Sequence, residues 1–344
     1  MREYLLPEKG KFFKANLHCH STFSDGKLTP EELKQAYKSH GYSVLAITDH
    51  EGIFDHSYLN EEDFLTIPGY EREINDTSQY SDRYGWSSMR TTHLCFYPKD
   101  KNNIRAVCFN PDFIHPKFRW MHDRALKAKV KYIGEPYVPV PTVECINHII
   151  AEANKNGFLV TFNHPEWSQQ PYEVFCQYQG MFGMEIYNTA SERGGFNEYN
   201  SKLYDMMLRS GHKICCIAAD DNHNNRPLDS VYSDSFGGYV MIRAESLTHE
   251  NIINALENGN FYSSTGPEIT VLYREDDTVH IETSAAKKIR ILTGNGCARV
   301  VIAGDKLLTS ADFKVDPIFL YFRIEVTDEK GEKAYTNAYF TDRF

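Results

Sequence analysis

The chain contains no apolar run near the ~18 residues that a membrane-spanning helix needs, so no transmembrane helix is expected. It also lacks a Lys/Arg-rich run, and its formal net charge is -10, which makes it a poor partner for a nucleic-acid polymer or an anionic membrane by field alone. A short nucleotide stays open, because local metals can hold its phosphates. None of the eight cysteines (19, 95, 108, 145, 176, 215, 216 and 297) forms a Cys-x-x-Cys pair, and several sit in apolar stretches such as Ile214-Cys215-Cys216-Ile217. They read as reduced, buried, small hydrophobes, which argues against a disulfide framework or a zinc ribbon. There is no glycine-rich phosphate loop and no low-complexity tract. The opening MREYLLPEKGKFF has neither an apolar signal core nor a small-residue cleavage site, so a cytoplasmic protein is expected.

What is present is ordinary globular composition, 41% hydrophobic and 24% charged, over 344 residues. At about 150 residues per domain this length predicts two domains. One unit recurs along the first two-thirds. Thr29 can cap a helix with Pro30 at its first position and Glu32 closing a capping box, and Gly41 can end it. The apolar run Tyr42–Thr48 then reads as a buried parallel strand ending in Asp49-His50. The same grammar returns from Thr142 through Gly157 to Phe158–Phe162 and Asn163-His164-Pro165. It returns again from Tyr199 through Gly211 to Ile214–Ala219 and Asp220-Asp221-Asn222-His223. The strand Phe13–Leu17 ends in His18-Cys19-His20. Parallel α/β folds place their active sites at such strand ends.

Thr248 can cap one more helix. Beyond Gly266-Pro267 the pattern changes to short strands (Glu268–Tyr273, Val279–Thr283, Lys288–Thr293, Ala298–Ile302, Ile318–Thr327, Ala334–Phe340) separated by turns. This predicts one α/β domain over 1–265 and a small antiparallel β-sandwich over 266–344. Residues 75–141, rich in aromatics and proline with weak periodicity, read as an insertion over the active-site mouth.

Polar metal ligands at the ends of apolar strands cost several kcal/mol unless paired or coordinated. His18 and His20 lie two apart in extended chain, so both nitrogens point one way. Asp25 follows in a Ser-Asp-Gly turn, Glu71 ends Ile67-Pro-Gly-Tyr-Glu71, and His93 lies in an apolar run. With His50, His164, Asp221 and His223 this makes nine candidate ligands, which suit two or three ions rather than one. Mixed histidine and carboxylate sets favour zinc, manganese or iron, and closely spaced metals suit phosphoryl hydrolysis. Glu71 is preferred to Glu73, two residues on, from its Pro-Gly-x-Glu context. Asp220, one residue from Asp221, should point to the other side. Arg193 and Arg226 follow strand ends on the same face and are the candidate phosphate contacts. Trp167, three past His164, is the tryptophan most suited to meet substrate.

His18-Cys-His20 with Asp25-Gly26, Thr48-Asp49-His50, Pro68-Gly69-Tyr70-Glu71, His93, Asn163-His164-Pro165 and Asp221-Asn-His223 together resemble the polymerase and histidinol phosphatase (PHP) family. The resemblance runs from about residue 12 to 265. Any one motif is weak, but the ordered set is specific. It implies an α/β fold, a distorted (β/α)7 TIM-like barrel, with a di- or trinuclear metal site. By the same resemblance His18, His20, Glu71 and Asp221 surround one ion. His50, Glu71, His93 and His164 surround a second, Asp25, His50 and His223 look after the remaining site, and Glu71 is the bridge. Asp25 stands where some members carry histidine. Phe261-Tyr-Ser-Ser-Thr-Gly-Pro and Tyr335-Thr-Asn-Ala resemble a two-domain subgroup.

The expected activity is phosphoester hydrolysis of a small phosphorylated metabolite or nucleotide by a metal-bridged hydroxide, with Glu71, Asp221 and His223 as catalytic residues. No membrane and no extended nucleic acid are expected as partners. A C–N or C–O hydrolase of the amidohydrolase type is the first rival, disfavoured by the lack of a lysine at a strand end. A non-catalytic, metal-stabilised accessory module is the second.

Overall fold

The computed structural model describes residues 2–75, 91–110, 130–136, 138 and 140–343. The expected helix caps are in place. Thr29 and Glu32 form a complete capping box at the head of α1 (Pro30–Ser39), joined to β1 (Lys11–Asn16) by the turn that carries Asp25. α1 leads into β2 (Val44–Ile47), every residue of which is buried. β3 (Leu65–Pro68) follows, and β4 (Tyr70–Asn75) begins after one intervening residue. That residue is Gly69, where a Cβ would lie 3.0 Å from the Thr48 methyl and 3.2 Å from the Phe96 carbonyl oxygen. A side chain there would crowd both neighbours, so glycine fits the close passage from one sheet to the next.

β5 (Thr91–Pro98) is followed by α2 (Val143–Lys155), capped by Thr142, and then β6 (Phe158–Phe162) and β7 (Gly183–Asn188). Next come α3 (Ser201–Arg209), β8 (Cys215–Ala219), β9 (Tyr239–Ala244), the Thr248-capped α4 (His249–Glu257) and β10 (Phe261–Ser264).

Two sheets carry the first part of the chain. One is five-stranded, in the order β8-β7-β6-β5-β4. The other begins β3-β2-β1-β9-β10 and continues into the C-terminal region to make ten strands. Among the described residues the ladders stop short of a closed ring. The two sheets meet at isolated bridges, Cys19 with Asn222 and His50 with Glu71. The fold is mixed α/β, with β1, β2 and β3 parallel and β6, β7 and β8 parallel, whereas β4, β5 and β9 run antiparallel to their neighbours.

The stretch 75–141 is therefore not all insertion. Thr91–Pro98 within it is a fully buried strand paired on both sides, because its eight residues include Leu94, Cys95, Phe96 and Tyr97 and fit the sheet interior. Residues 76–90, 111–129, 137 and 139 of that stretch lie outside the described residues.

The C-terminal strands are β11 (Ile269–Glu275), β12 (Thr278–Ala286), β13 (Lys288–Thr293), β14 (Arg299–Ile302), β15 (Leu308–Lys314), β16 (Tyr321–Thr327) and β17 (Lys333–Thr336). They form two antiparallel layers around a core that includes Leu272, Ile281, Ile291, Phe313, Phe322 and Ile324. One layer is four-stranded and takes Arg2–Tyr4 as an edge strand, so the chain's first residues pack with its last region. The other layer is the far end of the ten-stranded sheet, joined through β17 to β10. The fully buried Arg323 of β16 grips Asp205 of α3 with two hydrogen bonds of 2.8 and 2.7 Å. Among the described residues no helix is long and apolar enough to cross a membrane.

Candidate metal centre

The nine predicted ligands converge at the ends of these strands. β1 delivers His18 and His20. The turn after it closes with hydrogen bonds from Ser24 N–H and Gly26 N–H to the Ser21 carbonyl, which presents Asp25 beside them. A Cβ on Gly26 would lie 2.3 Å from the His20 carbonyl oxygen, so the turn requires glycine there. β2 delivers His50, β4 Glu71, β5 His93, β6 His164 and β8 Asp221 and His223. His164 (φ 26) and Asp221 (φ 54) hold backbone conformations that side chains rarely adopt. Such strain costs about 1–3 kcal/mol per residue and persists only where the surroundings over-determine it.

Glu71 is the centre. Its carboxylate lies 3.2 Å from His18 Nε2, 3.3 Å from His20 Nε2, 3.2 Å from His50 Nδ1, 2.9 Å from His93 Nδ1 and 3.4 Å from His164 Nε2. Asp221 Oδ1 lies 3.1 Å from His18 Nε2 and 3.0 Å from His20 Nε2. Asp25 lies 3.7 Å from both His20 and His50 and 3.4 Å from His223 Nε2. Three groups of donor atoms could each hold an ion: His18, His20, Glu71 and Asp221; Glu71, His93 and His164; and His20, Asp25, His50 and His223. The grouping departs from the one implied by resemblance in placing His20 also with Asp25 and in leaving His50 out of the group with His93.

The hydrogen bonds around the cluster bear on whether its donor set fits an ion. His18 Nδ1 lies 2.8 Å from Glu185 Oε1, and an ionised carboxylate cannot donate, so Nδ1 carries the hydrogen. His223 Nδ1 likewise donates to the Asp221 carbonyl at 2.9 Å. In the neutral ring the opposite nitrogen is then a bare lone pair, and in both residues it faces carboxylate oxygen. Lone pairs facing lone pairs call for a cation between them. Ligand atoms about 2.1 Å from a shared ion stand about 3.0–3.4 Å from one another, and the Glu71 and Asp221 contacts with His18 and His20 fall at 3.0–3.3 Å. The donor set fits transition-metal ions.

With no ion bound, protons meet the same need. Burial pulls the buried imidazoles down, but Asp221 and Glu71 override it and hold the His18 and His20 pKa values well above the ordinary range. Burial is likewise outweighed at His93, which Glu71 and Glu73 push up to about 9. At His50 burial prevails over Asp25 and lowers the pKa to about 3. Burial alone would raise the carboxyls of Glu71 and Asp221, yet the surrounding imidazoles hold both below their usual range.

Several supporting residues were not foreseen. Glu185, fully buried in β7, accepts from His18 Nδ1, from the His164 backbone N–H at 2.8 Å and from Asn188 Nδ2 at 2.8 Å. Asn188 in turn donates to Asp221 Oδ2 at 3.2 Å and caps the short helix Thr189–Arg193. A charged residue inside the apolar run Gly183–Tyr187 was the available signal. Asn163 donates to Glu71 at 2.8 Å, and Asp234 accepts the His223 backbone N–H at 2.8 Å. Asp220, expected to point away from Asp221, takes Tyr37, Thr189 and the backbone N–H groups of Phe236, Gly237 and Gly238, and Asp49, expected in a similar supporting role, takes Ser21 and Ser24. Glu73 lies on the same side as Glu71, 3.5 Å from the far nitrogen of His93.

The cluster floors a cleft of about 360 Å³. Arg193, Arg226, Trp167 and Tyr232 line it together with Asp25, His50, Glu71, His93, His164, Asp221 and His223. His18 and His20 lie beneath, fully buried.

Among known proteins, the PHP domain family matches residues 16–264. Over 40 residues the chain is 52% identical to a 5'-3' exoribonuclease of Haemophilus influenzae, a match spanning 12% of this chain and only 15% of that protein. A two-domain protein from Bacteroides vulgatus containing a predicted PHP-like metal-dependent phosphoesterase is similar in structure over 98% of both chains, at 14% identity and a TM-score of 0.44. A lesion-specific endonuclease from Pyrococcus furiosus is similar over 72% of this chain and 56% of its own, at 14% identity and a TM-score of 0.41.

Proposed function

The chain belongs to the PHP family, and from that premise we propose that it hydrolyses the phosphoric ester of a small metabolite or nucleotide with two or three zinc, manganese or iron ions. We take residues 1–265 as the hydrolase unit, its two sheets forming a distorted barrel, and 266–344 as an attached β-sandwich. One observation carries the reading: five imidazoles from four strands, two of them from the β1 end, surround a single carboxylate, Glu71, at 2.9–3.4 Å on the floor of an arginine-lined cleft.

His18, His20, Asp25, His50, Glu71, His93, His164, Asp221 and His223 would hold the ions, with Glu71 shared between sites. When bound, such ions act as Lewis acids, draw the pKa of a water towards about 7 and neutralise phosphoryl charge. Arg193 and Arg226 meet the phosphoryl oxygens, for which a guanidinium fork is suited. Both side chains are exposed, so they reach substrate without paying for desolvation beforehand. Glu71 and Asp221 orient the attacking water and accept its proton on their carboxylate oxygens. His223, with 24% of its side chain exposed, is the imidazole of the set most open to the cleft and to the leaving oxygen. The fully buried His18 and His20 keep water away from the far side of the cluster.

The test is metal content of the purified chain alongside phosphate release from an aryl phosphate monoester and an aryl phosphodiester, with and without chelator, Mn²⁺ or Zn²⁺. The diester is included because of the short match to an exoribonuclease. Two or three ions per chain with chelator-sensitive hydrolysis are expected. Bound metal without turnover on any phosphoester would overturn the phosphoesterase reading. Absence of stoichiometric metal after reconstitution would overturn the metal centre itself.

A further inference from the structure

Tyr232 lines the same cleft, yet 68% of it is exposed. Among the described residues no side chain stacks on its ring or bonds its hydroxyl. Single exposed aromatics are common on protein surfaces, but this one lines the cleft over the metal centre, and a tyrosine there presents a large, flat face that a ligand can cover.

The loop that presents it is fastened at both ends. At one foot, Asp234 accepts the backbone N–H of His223 at 2.8 Å and of Asn224 at 3.1 Å, and Asn224 Nδ2 donates to Ser235 Oγ at 2.8 Å. At the other, Asp220 accepts Phe236, Gly237 and Gly238 N–H at 2.7, 2.9 and 2.9 Å. Within the loop Ser230 N–H bonds the Pro227 carbonyl at 3.0 Å and Tyr232 N–H bonds Ser230 Oγ at 3.2 Å. The loop that carries Tyr232 is thus tied to the metal centre through Asp220, His223 and Asn224, residues at or beside the candidate ligands Asp221 and His223. Arg226 stands on the same loop, so one segment offers both a guanidinium for phosphate and an aromatic face.

We infer that Tyr232 is a specificity-determining residue that stacks on a planar ring in the leaving group, so that the preferred substrate is a nucleoside monophosphate rather than a sugar or alkyl phosphate. The inference rests on the phosphoesterase reading for the reaction but not for the binding. An aromatic face accepts any base without hydrogen-bond readout, and one base stacked on one ring is worth about five- to 150-fold in affinity. Trp167, packed edge-on against His93 and His164 at 5.1 and 4.8 Å, lines the cleft as well but is committed to those rings. Among the described residues Tyr232 carries no such commitment.

The experiment compares adenosine 5'-monophosphate with ribose 5-phosphate on the full chain loaded with Mn²⁺. The two share the ester bond and differ by the base. The expected result is a kcat/KM ratio of about tenfold or more in favour of the nucleotide. Tyr232→Leu should collapse that ratio towards one, through KM, and Tyr232→Phe should keep it. A parent ratio near one, or a ratio unchanged in Tyr232→Leu, would overturn the inference. Failure to release phosphate from either compound would instead count against the phosphoesterase reading. In that case the ratio of dissociation constants for the same two compounds, measured by calorimetry in parent and Tyr232→Leu, decides the stacking role without turnover.

Discussion

Replacing Glu185 with glutamine keeps the side chain's shape and removes one charge and one acceptor. The carboxylate now serves three donors, His18 Nδ1 at one oxygen and the His164 N–H and Asn188 Nδ2 at the other, each at 2.8 Å. A glutamine has one oxygen and one NH2 to offer. Turning the NH2 towards His164 and Asn188 would set it against two donors, so the oxygen takes that side and the NH2 faces His18. His18 Nδ1 must then accept, which moves the ring hydrogen to Nε2. That atom lies 3.1 Å from Asp221 Oδ1 and 3.2 Å from both Glu71 Oε1 and His20 Nε2, where the ion is to sit.

Loss of such a supporting partner typically weakens metal binding about 10–100-fold, which is about 1.4–2.7 kcal/mol. The effect should be confined to the ion shared by His18, His20, Glu71 and Asp221. Glu185 makes no direct contact with Asp25, His50 or His223, so binding there should hold. The assay is competition of the metal-free chain against a chromophoric chelator, with thermal unfolding of the same metal-free samples alongside. One weakened site in a chain that unfolds at the parent's temperature is expected. Parent-like affinity at every site would refute the tautomer argument. Equal weakening of all sites with a lowered melting temperature would mean that Glu185 supports the fold rather than one ligand.

Why Glu185 escaped the sequence reading is instructive. Most of the candidate ligands were legible because they stand at the ends of apolar runs, where burying an imidazole or carboxylate is costly unless it is paired or coordinated. The same held for helix starts at Thr29, Thr142 and Thr248, whose caps are local chemistry three residues long. Glu185 stands inside a run, where its purpose depends on His18, 167 residues away. Strand direction was hidden for a related reason. Thr91–Pro98 is buried on both faces, so its apolar pattern carries no mark of which way it runs, and it lies antiparallel. Leu308–Lys314 was missed because mainly Ala311 and Phe313 turn inward along a strand otherwise polar on its open face. Closure of the sheets is a property of register between distant strands, and no single segment encodes it.

Glu71→Gln should lose more than the about 100-fold typical of a supporting residue, measured as phosphate release with metal at saturation, because it alters all five imidazole contacts at once. Arg193→Ala and Arg226→Ala should each lower kcat/KM about 10–100-fold, since a hydrogen bond to a charged group is worth about 1.5–3 kcal/mol; unchanged kinetics in either would remove that residue from the site. Chelation should lower the melting temperature of the loaded chain, each ion held at about 100 times its dissociation constant contributing about 2.7 kcal/mol. The metal-free chain should also respond to pH through His93. Its folded pKa, about 9, exceeds the unfolded value of 6.5, so the folded state binds the extra proton between those limits. Stability from that proton is full below pH 6.5 and is lost as pH rises towards 9. Metal-free melting temperature should therefore fall across that window, and His93→Gln should flatten the fall. A metal-free chain whose stability rises from pH 6.5 to 9 would show that His93 is not held as an imidazolium between Glu71 and Glu73.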